Sequence, residues 1–299
     1  MVHLSEIINP AGGDNAVMMA EEDLFPEHVN KLTHSQAVCV RAAKKLEQQC
    51  TQIEIEFFAK VHELEAQFQS RFNDLNNKRA QIMNGTLSVN ENEVGDVPIV
   101  YNLHEKAVEQ FTKSLKEDDG VKGVPDFWLH VLQGCDATAV MIEDEDVEIL
   151  KHLKNIETEV TTNPMGFILR FHFETNEYFE NSVIEQKITY KLAPNDIHTF
   201  DAPSVATLEN TSIQWKEGKN PLGAGKKGQH SFFSIFDAKK SDEDEMEDVY
   251  ELAAVIREQI VPHATLYFTG ELRDEDIDFG DSDSDNSSDS EHETMEIED

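Results

Sequence analysis

Carboxylates are the side chains with which this sequence can do chemistry. Aspartate and glutamate number 60 against 25 lysines and arginines, which gives a formal charge of -35 over 299 residues. The acids gather in residues 143–148, recur in residues 174–180 and dominate the chain beyond Gly270. A field of this sign attracts basic partners and repels nucleic acid and anionic membranes. We therefore expect non-covalent binding of basic proteins, with no direct tight binding to DNA and no membrane contact.

Catalytic and metal-binding patterns do not occur in the sequence. It contains no glycine-rich phosphate loop, no Gly-x-Ser-x-Gly, no His-Glu-x-x-His and no Cys-x-x-Cys. Cys39, Cys50 and Cys135 are odd in number, so reduced structural thiols are expected. His172 falls in a predicted strand, where a surface or packing role is expected. The sequence predicts no enzyme, no catalytic residue, no metal and no cofactor.

Two weaker motifs concern regulation and transport. Four serines have an acidic residue three positions later, a context in which phosphorylation would add negative charge; they are Ser241, Ser282, Ser288 and Ser290. Four lysines lie within a short glycine-rich region and either form a nuclear import signal or merely flank a turn; they are Lys216, Lys219, Lys226 and Lys227.

A long helix must organise these groups, because residues 29–84 contain no glycine or proline. Thr33 and Gln36 form a possible capping box at its start, and Gly85 ends it after about 50 residues, or roughly 75 Å. One apolar stripe recurs at helical spacing; its residues are Leu46, Ile53, Phe57, Val61, Leu64, Phe68, Phe72 and Leu75. A second copy of the helix is the simplest partner of that length, and packing along its own domain is the alternative.

The remaining pattern predicts an α+β fold. A flexible N-terminal arm (1–28) and the long dimerisation helix (29–85) precede a small helical insert (86–120), expected to fold back on the long helix. An α/β domain (121–270) with an antiparallel sheet covered by helices follows, and the acidic tail (271–299) is expected to be disordered. Within the domain, Asp126 is expected to cap a helix, residues 144–153 to form another, and residues 212–216 to add a strand. The aromatic side chains of Phe127, Trp128, Tyr178 and Phe179 are expected to be structural.

Targeting signals do not appear in the sequence either. No apolar stretch approaches the roughly 18 residues that span a bilayer, and residues 1–25 have no basic segment followed by an apolar one. A cytosolic or nuclear protein is expected.

Eight sequence blocks, in order, resemble the nucleosome assembly protein family of histone chaperones, and its nucleosome-assembly branch more than its SET branch. They are residues 78–85 (KRAQIMNG), 123–129 (GVPDFWL), 149–154 (ILKHLK), 166–173 (GFILRFHF), 176–181 (NEYFEN), 213–220 (IQWKEGKN), 231–233 (SFF) and 266–271 (LYFTGE). The resemblance extends from about residue 24 to residue 271. Two departures are the short segment 223–228, where relatives often have a longer basic hairpin, and the lack of a prenylation box.

The resemblance implies a homodimer of paired long helices whose acidic, concave underside holds core histones. The alternatives for the acidic residues are an ordinary solvated face in the folded part and a solubility segment in the tail. The candidate histone-binding residues are Glu143, Asp144, Glu145, Asp146, Glu148, Glu174, Glu177, Glu180, Glu271, Asp274, Glu275, Asp276 and Asp278. The implied function is ATP-independent binding of the 2A/2B and 3/4 histone pairs and promotion of nucleosome assembly, in nucleus and cytoplasm, with import receptors as further partners. The alternative is a dimeric acidic adaptor that carries histones or inhibits an enzyme such as a phosphatase.

Overall fold

The computed structural model describes residues 25–117, 119–223, 231–237 and 243–272. They form two compact units, one of residues up to 56 together with 194–200 and the other of the remainder. Nearly all of the predicted arm and tail lies outside the described residues, as do Lys226, Lys227 and the four predicted phosphorylation sites.

The long helix is confirmed as α2 (His34–Met83), after a single turn, α1 (Glu27–Asn30). Its start carries the predicted capping box, since the Thr33 N–H donates to Gln36 Oε1 at 2.8 Å and the Gln36 N–H to Thr33 Oγ1 at 3.3 Å. In the first unit the Thr51 hydroxyl donates to the His198 carbonyl at 2.9 Å, which ties loop 194–200 to the helix.

The insert contains α3 (Glu91–Val94) and α4 (Glu105–Ser114). Asn90 and Glu93 form a capping box around α3. No side chain of α4 is buried, and Phe111 remains 38% exposed. The insert is therefore helical as predicted. The apolar face of α4 is partly exposed in the single chain, and its packing on a long helix stays a prediction.

The base of the insert is a close contact between two backbone segments. The Val124 N–H donates to the Met83 carbonyl at 2.7 Å. Gly85 and Gly123 both have positive φ, and a Cβ on Gly123 would lie 2.2 Å from the Met83 carbonyl oxygen. Only glycine fits both the dihedral angle and the space. The end of α2 is thus hydrogen-bonded to the segment that precedes the first helix of the α/β domain.

The sheet is antiparallel, in the order β1 (Leu153–Thr162), β2 (Met165–Phe173), β3 (Val183–Lys191), β4 (Ser204–Asn210). Ile156, Phe171 and Ile184 lie opposite one another on its buried face. Residues 204–210 form the fourth strand, whereas the predicted strand at 212–216 contributes only an isolated bridge between Trp215 and Phe179.

Helices cover the buried face of the sheet. They are α5 (Phe127–Gln133), α6 (Asp136–Ala139), α7 (Asp144–Leu150), a 3-10 helix (Phe232–Phe236), α8 (Glu243–Val255), a π-helical turn (Ile256–Ile260) and α9 (Ala264–Thr269). Phe127, Trp128 and Phe179 are buried and Tyr178 is half-buried, so their structural assignment is confirmed. Asp126 precedes α5 as predicted, but its side chain makes no capping bond, because its backbone is left-handed with φ 57°.

Within the second unit, one face of α2 packs against the domain through polar contacts. His62 is 2% exposed, and its Nε2 lies 2.8 Å from the Thr161 carbonyl oxygen. Asn73 Nδ2 donates to the Thr158 carbonyl at 3.0 Å, and Arg257 pairs with Glu65 at 2.6 Å. These contacts cover the face of the helix turned away from the apolar stripe.

Candidate functional site

The acidic helix α7 presents Glu143, Asp144, Glu145 and Glu148 to solvent. The helix starts immediately after Glu143, whose N–H donates to the Asp146 carboxylate at 3.1 Å. Acidic side chains in a first turn are favourable, because the exposed N–H groups there carry positive partial charge. The same position therefore stabilises the helix and directs carboxylates outward.

Asp146 is the exception in this run, and the prediction that it binds a partner is wrong. It is fully buried, and its carboxylate accepts from the Ser231 hydroxyl at 2.7 Å, the Phe232 N–H at 2.8 Å and the Glu143 N–H at 3.1 Å. A buried carboxylate requires such donors. Asp146 thus anchors the 3-10 helix to α7, and no surface of it is left for a partner.

The turn between β2 and β3 carries Glu174, Glu177 and Glu180, all exposed. It is built on Asn176, whose Oδ1 accepts from the Tyr178 N–H at 2.9 Å and the Phe179 N–H at 3.0 Å. An asparagine that bonds the backbone two and three residues later holds a turn in one conformation. The three glutamates therefore project from a fixed loop.

Basic side chains of the same chain engage these glutamates. Glu174 pairs with Lys154 at 3.0 Å and with His152 at 3.2 Å. Glu177 pairs with Lys219 at 3.3 Å, and Glu180 with Lys216 at 3.4 Å; on α7, Glu148 pairs with Lys151. Exposed pairs of this kind are weak, at about 0–1 kcal/mol each, so they are exchangeable. Any strongly basic partner competes with these lysines.

The ion pairs of Glu174 predict its titration. Although partial burial opposes the shift, hydrogen bonds from Lys154 and His152 lower the pKa of Glu174 below its ordinary value. The stabilisation is present at neutral pH and is lost as pH falls through the lowered pKa. In a carboxyl-resolved NMR titration, Lys154→Met is expected to raise the Glu174 pKa, whereas Lys151→Met is expected to leave it unchanged. Equal shifts in both variants would contradict the assignment.

The end of α7 and the β2–β3 turn form one surface. The rings of His152 and Tyr178 lie 5.9 Å apart. Burial first, and then the charges of Glu177 and Glu148, raise the pKa of Tyr178. A tyrosine influenced by both glutamates shows that the two predicted acidic segments are adjacent. We call the exposed carboxylates of α7 and of this turn, without Asp146, the acidic surface.

Lys216 and Lys219 support this turn. Lys216 Nζ donates to the Asn176 carbonyl at 2.8 Å, and Lys219 Nζ lies 5.0 Å from the centre of the Tyr178 ring. Both lysines are only partly exposed. Their role in nuclear import stays a prediction, although the structure gives each of them a local function.

The face of the sheet turned away from the helical layer carries a charged cluster that the sequence analysis did not assign to the site. Arg170 of β2 bridges Glu159 of β1 at 2.6 Å and Glu185 of β3 at 2.8 Å, and His172 lies 3.1 Å from Glu157. Burial opposes the shift, but the two hydrogen bonds raise the pKa of Arg170. The alternation of acidic residues along β1 can be seen in the sequence. The strand register that brings them to Arg170 cannot be read from it.

Glu271 is engaged within the chain. The Tyr101 N–H donates to its Oε1 at 2.6 Å, and the Thr269 hydroxyl donates to its other oxygen. It thereby ties the insert to the end of α9. The other tail candidates, Asp274, Glu275, Asp276 and Asp278, lie outside the described residues.

The apolar stripe of α2 is exposed along its whole length. The exposed fraction of its eight side chains ranges from 38% for Val61 to 69% for Phe57; the others are Leu46, Ile53, Leu64, Phe68, Phe72 and Leu75. Soluble proteins rarely leave so large a contiguous apolar surface uncovered.

Among the described residues, no helix is both long and apolar enough to cross a membrane. The same part of the chain holds no group of three or more His, Cys, Asp or Glu side chains arranged to bind a metal ion.

A sequence profile described as "Nucleosome assembly protein (NAP)" matches residues 39–271. The chain belongs to the nucleosome assembly protein family. It is 34% identical over 276 residues to nucleosome assembly protein 1-like 1-A of Xenopus laevis, which covers 80% of this chain and 70% of that protein. It is 31% identical over 285 residues to nucleosome assembly protein 1-like 4 of Homo sapiens. That match covers 80% of this chain and 75% of the human protein.

A crystal structure of the malaria parasite nucleosome assembly protein shares the fold. The TM-score is 0.50 at 26% identity, over 81% of this chain and all of that one. The recognition of the nucleosome assembly protein family from the sequence blocks is therefore confirmed. Two of those blocks contain Gly85 and Gly123, the glycines at the joint between α2 and α5.

Proposed function

We propose that this protein is an ATP-independent histone chaperone that binds the 2A/2B and 3/4 core-histone pairs and promotes nucleosome assembly. Family membership supports a histone-chaperone role. The observation that carries the proposal is the acidic surface on that fold, where Glu143, Asp144 and Glu145 are exposed beside the glutamates of the β2–β3 turn. Residues 1–270 alone hold 46 acidic and 24 basic residues, a charge of -22.

Electrostatics gives the binding step its properties. The field of the whole chain steers a basic histone pair over about one Debye length, roughly 8 Å at physiological salt. Once in contact, histone lysines and arginines exchange with Lys151, Lys154, Lys216 and Lys219, which already pair with the acidic surface. Each pair contributes at most about 1 kcal/mol, so affinity comes from many pairs and falls with salt.

Release follows from competition between polyanions. The bound chaperone shields histone charge and lowers the free histone concentration below that at which histone and DNA aggregate. Ordered wrapping of DNA makes more contacts with histone than the acidic surface does, so the nucleosome is the more stable product. The transfer needs no bond to be made or broken, and hence no nucleotide.

The dimer is part of this proposal. Contacts of His62, Asn73 and Arg257 occupy the domain-facing side of α2, which supports the proposal that another molecule covers the exposed stripe. A second α2 offers a matching apolar stripe of the same length, about 45 Å from Leu46 to Leu75 at the usual helical rise. Pairing of the two copies would place two acidic surfaces on one particle, and would raise avidity for histone.

We further propose that the protein acts in the nucleus and is also present in the cytoplasm, where it meets newly made histones. Import receptors are its expected transport partners. Since Lys216 and Lys219 are held by the β2–β3 turn, Lys226 and Lys227 are the better candidates for receptor contact.

Neutralising the acidic surface tests histone binding. The triple variant Glu143→Gln, Asp144→Asn, Glu145→Gln is expected to weaken affinity for labelled histone pairs about tenfold near physiological salt, if each lost charge contributes about 0.5 kcal/mol. Fluorescence titration at several salt concentrations measures it. The matched control Asp96→Asn, Glu105→Gln, Glu109→Gln removes the same charge from the exposed insert. Equal weakening in both variants would show that net charge alone governs binding.

The tail and the assembly step need separate measurements. A truncation ending at Gly270 is expected to bind only modestly more weakly than the full chain; loss of binding would instead make the tail the binding site. A plasmid supercoiling assay tests deposition of histones on DNA. Intact binding without supercoiling would favour the acidic adaptor over the assembly factor.

A further inference from the structure

The domain holds α2 at its end and along one edge of the sheet. Near the end of the helix, the Arg79 guanidinium lies 5.6 Å from the centre of the Trp128 ring in α5. Side chains of α2 also reach backbone carbonyls of β1, and they are His62, Asn73 and Asn84. Bonds spaced along one strand resist sliding, but they resist rotation about that strand only weakly. A further contact, away from the helix end, is needed to set the tilt of α2 towards the helical layer.

Arg257 supplies such a contact. Its side chain is only 11% exposed, and its Nη2 donates to Glu65 of α2 at 2.6 Å. The guanidinium carbon lies 5.2 Å from the centre of the Phe167 ring in β2, and Nη1 donates to Glu258 at 2.8 Å. A cation withdrawn from water requires acceptors and packing of this kind. One side chain therefore connects the helical layer, the sheet and α2, at a point about 27 Å along the helix from Met83.

Glu65 is the anion that faces Arg257 from α2, and the aromatic neighbours do not replace it. The Tyr190 hydroxyl lies 3.5 Å from Arg257 Nη1, and the Tyr190 ring packs 5.5 Å from the His62 ring and 6.0 Å from that of Tyr250. Burial raises the pKa of Tyr190, although the charge of Arg257 opposes the shift, so the phenol stays neutral.

Arg257 belongs to the π-helical turn that follows α8. The Val261 N–H donates to the Ile256 carbonyl, five residues back, at 2.9 Å. Such turns are rare insertions in α-helices and are frequent at functional sites. Here the wider turn keeps Ile256 and Val261 buried in the core while Arg257 faces α2.

We propose that Arg257 is a positioning residue for histone binding: through Glu65 it sets the tilt of α2 against the domain, and thereby the spacing of the two acidic surfaces in the dimer. The inference rests on the proposed function, because it requires a dimer that engages histone with both surfaces. A partner that contacts two sites at once binds best when their spacing matches its own. A preformed spacing also reduces the ordering that binding must impose.

Distances within one chain test the tilt in the absence of histone. Spin labels are attached at Lys60→Cys in α2 and Ala206→Cys in β4 of the full-length Cys39→Ser, Cys50→Ser protein, in which the remaining Cys135 is buried. Dilution with unlabelled chain leaves one labelled copy in each dimer. Residue 60 lies about 35 Å along α2 from the helix end, so a tilt of about 10° moves it by about 6 Å. Double electron–electron resonance resolves a change of this size.

Two substitutions remove the contact from opposite sides. Arg257→Met and Glu65→Ala are each expected to broaden the distance distribution by several ångströms, and the double variant no further, because both remove the same interaction. Asp74→Ala removes an exposed acid elsewhere on α2 and is expected to leave the distribution unchanged. Circular dichroism and light scattering check that every variant is folded and keeps its mass.

Histone affinity separates positioning from a charge effect. Arg257→Met makes the chain more acidic and Glu65→Ala makes it less acidic, so net charge alone predicts opposite changes in affinity for labelled histone pairs. Positioning predicts that both variants bind severalfold more weakly, whereas Asp74→Ala binds nearly as well as the unmodified chain.

Three results would overturn the proposal. The first is an unchanged distance distribution in both Arg257→Met and Glu65→Ala. The second is equal broadening in Asp74→Ala, which would assign the effect to the loss of any acid on α2. The third is tighter histone binding by Arg257→Met together with weaker binding by Glu65→Ala. An unmodified protein that binds no histone would instead refute the proposed function, and the distances would still decide whether the ion pair sets the tilt.

Discussion

Replacing Phe68 and Phe72 with glutamate is expected to convert the protein from a dimer to a monomer. Both rings belong to the exposed stripe of α2, at 42% and 60% exposure in the single chain. A dimer would bury the exposed half of four such rings, each contributing about 1 kcal/mol, so their loss weakens association by about 10³-fold before charge repulsion is counted. Light scattering coupled to gel filtration measures the mass.

The control adds the same charges to the same helix outside the stripe. Gln67→Glu with Ser70→Glu changes two exposed polar residues and is expected to leave the mass unchanged. Circular dichroism should be nearly the same for both variants, because the Phe68 substitution removes only the exposed contact of its ring with the Arg71 guanidinium, 5.5 Å from the ring centre. A Phe68→Glu, Phe72→Glu protein that remains dimeric at micromolar concentration would refute pairing through the stripe.

The second large effect concerns stability. Asp146→Ala is expected to lower the free energy of unfolding by about 3–5 kcal/mol, because the Ser231 hydroxyl and the Phe232 and Glu143 N–H groups lose their common acceptor. Urea denaturation followed by tryptophan fluorescence measures it. Histone affinity of the folded fraction is expected to stay unchanged, since the carboxylate does not reach the surface.

Two further substitutions separate the buried role from charge. Asp146→Asn keeps an oxygen for the two N–H groups, and the Ser231 hydroxyl can turn to accept from the new amide, so a smaller loss is expected. Asp144→Ala removes an exposed carboxylate from the same helix turn and is expected to cost below about 1 kcal/mol. Comparable losses for Asp144→Ala and Asp146→Ala would refute the anchoring role.

Local periodicity was enough to predict the long helix and three of the strands. The stripe from Phe57 to Leu75 repeats at helical spacing, and β2 alternates Phe167, Leu169, Phe171 and Phe173 onto one face. Such patterns predict helices and strands well, because the apolar residues repeat at the spacing that places them on one buried face of the element. The same stripe also indicated that α2 requires a partner, although its second face, with His62 and Asn73, shows that the helix packs on its own domain as well.

The incorrect predictions concern residues whose burial or strand pairing is set by contacts distant in the sequence. Asp146 has the spacing of a solvent-facing acid, and only docking of Ser231 and Phe232, 85 and 86 residues later, buries it. Strand β4 buries only Leu208, so it lacks the alternation that marks a strand. The acidic pattern did contain all residues of the acidic surface, but it did not indicate the ion pairs that they form with lysines, because those pairs depend on strand register and turn geometry.

The joint at Gly85 and Gly123 holds the two ends of the insert together. The Val124 to Met83 hydrogen bond closes the base of the insert, so the polypeptide leaves and re-enters the domain at nearly one point. Whatever length of chain lies between the two glycines, the direction in which α5 starts is fixed by the joint itself. Apart from the Tyr101 to Glu271 hydrogen bond, the insert is attached through this joint, so evolution or protein engineering can lengthen or shorten the chain between the glycines while α5 keeps its starting direction.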